Sequence, residues 1–370
     1  LKLTKYSYKS IIISPCISDR GLFIINLFVL LILSACQQYP GEYSRDNLSN
    51  RNRFKSIHLF AREEIDSLEL ERLKDLNINS IVLVPFLYQR GLNTDTVISP
   101  GKNSYEWTER EEGIIQMARI CRKNGLDLIL KPHIWPVGVK NGEWREAIEP
   151  DSNNWHGWAR SYEKAILNYA EICQEESIAM LCIGTELKQL VLAKPEFWKS
   201  IIKNVRNVYS GKLCYAANWY DEYEKITFWN ELDYIGIQAY FPISSLDSSN
   251  YTYMEAQWLK YCENIKKLSE KFNKPVLITE LGYRSSVNAG VEPWLWDEHW
   301  GRKGKNQSAS EDMQAQCFKV FFETVWKEDW CEGVFIWNWK SPYHRFGGPQ
   351  TSTFTPQRKK SEQVIKNYFK

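Results

Sequence analysis

Two segments, LCIGTELKQL at 181–190 and KPVLITELGY at 274–283, run an apolar stretch directly into a Thr-Glu pair. An apolar strand is built to be buried, so a carboxylate at its last position is costly unless it opens onto a solvated site. Two such endings, at Glu186 and Glu280, point to paired-carboxylate chemistry. One carboxyl would give a proton while the other, ionised, attacks or stabilises. Retaining glycoside hydrolysis needs such a pair about 5–5.5 Å apart, with the two ionisations pushed in opposite directions. The composition fits that chemistry. The chain has 16 Trp and 20 Tyr among 370 residues, and many fall in polar, loop-like stretches where flat rings with a polar edge suit stacking on sugars.

The elements that must hold the carboxylates alternate along the chain. Strand-like runs lie near 55–60, 79–86, 126–132, 178–185, 212–218, 232–240, 275–280 and 332–338. Helical patterns lie near 65–76, 108–124, 157–175, 196–208, 222–229, 254–272, 311–327 and 357–369. Asn124-Gly125 and Ser210-Gly211 punctuate two of the helix ends. Eight strand and helix pairs with no second composition regime predict one (β/α)8 TIM barrel over 54–370, an α/β single domain. The competing layout, a doubly wound open sheet, would want a glycine-rich phosphate loop after an early strand, and none is present. In a barrel, Glu186 at the end of strand four and Glu280 at the end of strand seven reach the same bowl although 94 positions separate them in sequence. The stretches 133–156, with Trp135, Trp144 and Trp155, and 281–310, with Trp294, Trp296 and Trp300, read as aromatic walls of that bowl.

With 47 basic and 45 acidic residues the net charge is +2, and no long basic run gives a nucleic-acid footprint. Residues 1–20 are basic and polar, and 21–33 form a 13-residue run with one polar side chain, too short to span a bilayer comfortably. The run leads into Leu33-Ser34-Ala35-Cys36, which resembles a bacterial lipoprotein box. It implies a signal peptide over 1–36, lipidation at Cys36, a polar flexible tether over 37–53, and an exported, lipid-anchored protein. Gln37 and Gln38 lack the Asp associated with inner-membrane retention, which favours the periplasmic or cell-surface side of the outer membrane. Seven cysteines then remain, at 121, 173, 182, 214, 262, 317 and 331. With no CxxC pair they form neither a disulfide framework nor a zinc site, and their apolar surroundings predict buried thiols.

Several segments together resemble glycoside hydrolase family 113, a retaining β-mannanase family of the large barrel clan. These are LKPHI at 130–134, GEWREAIEP at 142–150, IGTELKQL at 183–190, YAANWYDEY at 215–223, WNELDYIGIQAYFP at 229–242, ITELGYRS at 278–285 and GVFIWNW at 333–339. The resemblance implies Glu186 as acid/base, Glu280 as nucleophile, and Tyr240 as the tyrosine that hydrogen-bonds the nucleophile. It also implies Trp337 as the floor of the subsite for the scissile sugar. Trp339, two residues on, would share its face and supply packing. His133, ending the third strand, would serve a sugar hydroxyl, the acid/base network or the scaffold. Lys131, on the same face, needs a carboxylate partner if buried. Asn218 reads as a sugar-hydroxyl ligand, Trp219 as a stacking surface, and Arg145 as a salt-bridge or wall residue. The clan usually carries Asn immediately before its acid/base, touching the hydroxyl beside the reacting carbon, whereas this chain has Thr185, with fewer hydrogen-bonding options.

The reading is thus a retaining glycosidase on a β-linked glycan, with no metal or organic cofactor, no nucleic-acid partner, membrane contact through the lipid alone, and a monomeric state. Two alternatives stand beside it: a catalytically silent glycan-binding lipoprotein, and a clan glycosidase acting on another β-linked sugar.

Overall fold

The computed structural model describes residues 53–140, 142–295 and 309–370. The leader with Cys36, the tether up to residue 52, and Trp296 and Trp300 lie outside the described residues.

Ten strands and eight α-helices make up the described chain. Strands β1 (Phe54–Ala61), β2 (Ser80–Leu83), β4 (Asp127–Leu130), β6 (Met180–Thr185), β7 (Lys212–Asn218), β8 (Tyr234–Gln238), β9 (Val276–Leu281) and β10 (Cys331–Ser341) pair in parallel and close into a barrel, β1 lying between β10 and β2. Strands β3 (Phe86–Arg90) and β5 (His133–Val137) form a separate parallel pair. Each resumes a barrel strand after a proline, Pro85 or Pro132, whose missing N–H cannot continue the ladder. His133 therefore opens a second strand rather than ending the third barrel strand.

The helices are α1 (Ser67–Asp75), α2 (Glu111–Lys123), α3 (Trp155–Glu175), α4 (Lys188–Ala193), α5 (Pro195–Val208), α6 (Tyr251–Phe272), α7 (Glu311–Glu323) and α8 (Lys360–Tyr368). Asp66, Asn250 and Ser310 cap α1, α6 and α7 by accepting from the backbone N–H three residues on. Gly125, at φ +67°, makes the left-handed turn expected after α2. Gly211 serves a different need. A Cβ there would lie 2.1 Å from the Tyr209 hydroxyl, so a side chain would displace the ring whose OH donates to Ile178 O at 2.7 Å.

Between β7 and β8 the expected helix at 222–229 is absent. The connection is a series of turns ending in a 3-10 turn at Trp229–Glu231. Its periodicity is that of a segment folded back on the barrel: Glu222 turns inward to accept from Asn218 N–H at 2.8 Å, and the Trp229 indole donates to Tyr223 O at 3.0 Å.

The barrel interior is filled by Val82, Ile129, Met180, Cys182, Cys214, Ala216, Leu277 and Phe335, all fully buried. A larger apolar layer lies between barrel and helices and includes Trp158, Trp198 and Trp258, likewise fully buried. Each such ring removes about 150–250 Å² from water, on the order of 4–6 kcal/mol before ordering entropy is subtracted. The seven expected thiols are all free and buried.

Pairing registers slip where the strands approach the open end. One extra residue enters β6 between Cys182 and Thr185 relative to β7, one enters β9 between Ile278 and Glu280 relative to β8, and one enters β10 between Ile336 and Trp339 relative to β1. An extra residue changes which face the following side chains occupy. In β10 this separates two residues expected on one face. Trp337 sits with Val84, Tyr240 and Phe354 above the barrel, whereas Trp339 is fully buried outside it and donates to Glu69 Oε1 at 3.1 Å. The intervening Trp337–Asn338 peptide is cis.

Candidate active site

A cavity of about 820 Å³ opens at the carboxyl ends of the barrel strands and holds Glu186 and Glu280 together. That is within the usual range for a small-molecule site, and this end of a parallel barrel is where such sites are found. The slips in β6 and β9 fall immediately before the two carboxylates. They turn a strand that would otherwise hide its last side chains into one that presents a carboxyl upward.

Glu280 is held from both sides. Its Oε1 accepts from Lys131 Nζ at 2.5 Å, and its Oε2 accepts from Tyr240 OH at 2.6 Å. Lys131 is fully buried, and the carboxylate partner that burial demands is Glu280 itself. Burial alone would push the Glu280 carboxyl up, but the Lys131 charge and the hydrogen bonds from Lys131 and Tyr240 outweigh it, so Glu280 is held below the ordinary carboxylate range. The Tyr240 phenol is driven well above its ordinary value by burial and by the Glu280 charge, so it remains a donor.

Glu186 has the opposite setting. Its backbone lies in the left-handed region at φ +54°, its N–H donates to Ala216 O at 2.8 Å, and its side chain is 14% exposed to the cavity. The nearest cation atom, Arg145 Nε, is 3.8 Å from Oε2, longer than a hydrogen bond. Burial raises the Glu186 carboxyl and the Glu280 charge adds to the rise, against partial opposition from Arg145 and Lys131. The site thus contains one carboxyl that tends to keep its proton and one that gives it up.

His133 lies between the two cations. Burial and the charges of Lys131 and Arg145 hold its pKa well below the ordinary histidine value, so the ring is neutral. A neutral imidazole has one acceptor nitrogen. Obligate donors face both ring nitrogens, Arg145 Nη1 2.5 Å from Nδ1 and Lys131 Nζ 2.8 Å from Nε2, and the single acceptor can serve only one of them. Lys131 Nζ makes its shorter contact with Glu280 Oε1.

Among the other expected site residues, Asn218, Trp219, Tyr240 and Trp337 line the same cavity, as does Arg145. Asn218 Nδ2 is buried and finds no acceptor in hydrogen-bonding geometry. Trp219 stacks on Trp294 with centroids 5.2 Å apart, and Trp135 meets Trp144 edge to face at 4.8 Å, giving two aromatic walls. Trp155 belongs to neither, since it starts α3 and packs on Trp158 and Phe197. Thr185 is not brought to the cavity wall. It is 1% exposed and donates to Pro132 O at 3.3 Å.

Two residues in this neighbourhood escape sequence reading. His58 in β1 is fully buried beside Trp337, at 4.9 Å between rings, with Nδ1 against Ile336 O. Burial and the Lys131 charge lower its pKa to about 3. Glu222 is the other, and its carboxyl is pushed up to about 7, chiefly by burial. A lone His in a strand and an acid in a turn-like YDEYEK segment give no signal of these positions.

The family model for Glycoside Hydrolase Family 113 matches residues 58–359. Among solved structures, a GH113 β-1,4-mannanase complex matches with TM-score 0.71 at 21% identity over 86% of this chain and 99% of the other. The GH113 β-mannanase AaManA from Alicyclobacillus acidocaldarius, in complex with ManMIm, matches with TM-score 0.72 at 21% identity over 86% and 98%. More distantly, a Ruminococcus gnavus β-glucuronidase matches with TM-score 0.58 at 12% identity, over 87% of this chain and 51% of its own. No curated protein matches the chain in sequence. The family match, with glycoside hydrolases among the structures that share the barrel, makes the chain a glycosidase. The chain belongs to Glycoside Hydrolase Family 113.

Proposed function

We propose that the protein is a retaining hydrolase of β-1,4-linked mannan or manno-oligosaccharides. In the first step Glu186 transfers its proton to the glycosidic oxygen as the C–O bond breaks, and a carboxylate oxygen of Glu280 bonds to the anomeric carbon. The leaving sugar departs as an alcohol. In the second step ionised Glu186 takes a proton from water, whose oxygen displaces Glu280 from the anomeric carbon and regenerates both carboxyls in their starting states. The observation that carries this reading is the opposed ionisation of the two carboxyls, with Glu280 stabilised as an anion by Lys131 and Tyr240 and Glu186 raised by burial. The mannan assignment is supported by the β-mannanases whose fold the chain shares.

Trp337 would form the floor beneath the reacting sugar, and Trp219 with Trp294 would stack along the leaving-group side. Thr185 spends its hydroxyl on Pro132 O, so the hydroxyl beside the reacting carbon must find another donor. The Asn218 side chain, which lines the cavity, is the candidate. His133, held between Arg145 and Lys131, lines the cavity beside Glu280 and is open to a sugar hydroxyl as well as to a positioning role.

The test is product analysis on defined manno-oligosaccharides with detection of the released anomer, using parent, Glu186→Gln and Glu280→Gln proteins shown to be folded. Retained configuration, with both variants down at least 10³-fold, is expected. Parental rates in either variant would sink the assignment. Export as a monomer lipidated at Cys36 is the accompanying proposal, supported by the Leu33-Ser34-Ala35-Cys36 box. It predicts incorporation of labelled palmitate that Cys36→Ala abolishes, and unchanged labelling in that variant would reject it.

A further inference from the structure

Glu222 lies in the connection between β7 and β8, behind the cavity rather than on its wall, and is fully buried. Both its oxygens are engaged by neutral donors: Oε1 accepts from Tyr215 OH at 2.6 Å and Oε2 from Asn218 N–H at 2.8 Å. The same Tyr215 oxygen accepts from the backbone N–H of Leu187 at 2.8 Å. Leu187 directly follows Glu186, whose own N–H is fixed on Ala216 O at 2.8 Å. The turn that presents Glu186 is therefore pinned on both sides to β7, and one of the pins ends on a buried carboxyl. A non-glycine residue at positive φ costs about 1–3 kcal/mol and persists only where its surroundings over-determine it. The Glu222–Tyr215–Leu187 bridge is part of what does so here.

We propose that Glu222 is a positioning residue for the reaction: through Tyr215 and Leu187 it fixes the turn that presents Glu186 to the cavity. This rests on the reading of Glu186 as proton donor. The groups facing Glu186 are Arg145 and Tyr220 from the connections after β5 and β7, Lys131 just past β4, Glu280 in β9, and Tyr240 after β8. The two cations favour the ionised form of Glu186 and Glu280 opposes it. The Glu186 charge adds to the burial that pushes Glu222 up to about 7.

Glu222→Gln replaces one of the two accepting oxygens with an N–H donor, so the anchor of Tyr215 OH or of Asn218 N–H is lost. It is expected to lower kcat by about 3- to 10-fold with KM changed less than about twofold. Tyr215→Phe keeps the carboxyl and cuts the bridge. It is expected to lower kcat by about 10- to 100-fold with KM changed less than about twofold, as for a misplaced catalytic group. A scaffold role alone would lower thermal stability in both variants and leave kcat of the folded fraction in place; that result overturns the inference. If Glu222→Gln does not fold, Tyr215→Phe decides, and parental kcat in it overturns the inference. Glu186→Gln assayed on an aryl mannoside with a good leaving group and on mannohexaose separates the two failures. The same change on both substrates removes the proton-donor reading, whereas selective loss on mannohexaose with parental kcat in Glu222→Gln and Tyr215→Phe removes only the role of Glu222.

Discussion

Lys131→Met isolates the group that keeps Glu280 ionised. The substitution removes an ammonium 2.5 Å from Oε1 while a methionine of similar length fills the fully buried space, so packing changes little and charge changes completely. Breaking a buried pair by deleting one partner costs about 3–5 kcal/mol, because the remaining charge is left uncompensated in a dry site. Charged to the ionised form of Glu280, that is about 2–3.5 pH units at 1.36 kcal/mol per unit. In the parent the Glu280 pKa is depressed. Activity needing the anion is therefore present above that pKa and lost as pH falls through it. In the variant the same loss occurs at higher pH. The acid limb of kcat/KM on mannohexaose should move up by at least two units, and activity at neutral pH should fall by up to about tenfold while recovering in more alkaline buffer. Stability should follow the same linkage. The parent gains from ionised Glu280 above the unfolded carboxylate pKa and loses that gain on acidification, whereas the variant, with Glu280 raised, should lose stability as pH rises through its folded pKa. Circular dichroism establishes folding, and the profile decides. A folded Lys131→Met protein whose acid limb coincides with the parent's would refute the claim that Lys131 sets the ionisation of Glu280.

Tyr240→Phe removes the second donor to Glu280, a charge-assisted bond of about 1.5–3 kcal/mol, and should raise the acid limb by about one to two units, less than Lys131→Met. Trp339→Phe deletes the indole donor to buried Glu69, which keeps Tyr343 N–H at 2.9 Å, and leaves the ring space partly empty. Chemical denaturation should report a loss of about 1–3 kcal/mol, with the specific activity of the folded fraction unchanged. A matching fall in kcat/KM would place Trp339 in the cavity and contradict its position outside the barrel.

The parts of the site that are legible in sequence are those where composition conflicts with position. Glu186 and Glu280 stand out because each terminates an apolar run, and Lys131 because a buried ammonium requires an acid. The barrel itself follows from alternating strand and helix periods and their punctuation. Legibility fails where one residue of slippage decides orientation. Trp337 and Trp339 obey the two-residue strand period in sequence, yet the extra residue in β10 sends one to the cavity and the other behind the barrel. Thr185 occupies a position next to the acid/base, but the slip in β6 buries it against Pro132. Glu222 sits in a segment with helical spacing whose inward turn is set by Asn218 N–H and Tyr215 OH, contacts that exist only once β7 has been laid down.

The neutral His133 ring has a consequence for how such an enzyme can change. It spaces two cations so that each lies nearest a different carboxyl, Lys131 bonded to Glu280 and Arg145 beside Glu186, although both charges are felt at both. Only Lys131 sits on the barrel itself, just past β4; Arg145 belongs to the connection after β5. A lineage facing a more acidic or more alkaline habitat can therefore retune the balance of the two carboxyls through a loop that carries none of the barrel's closure.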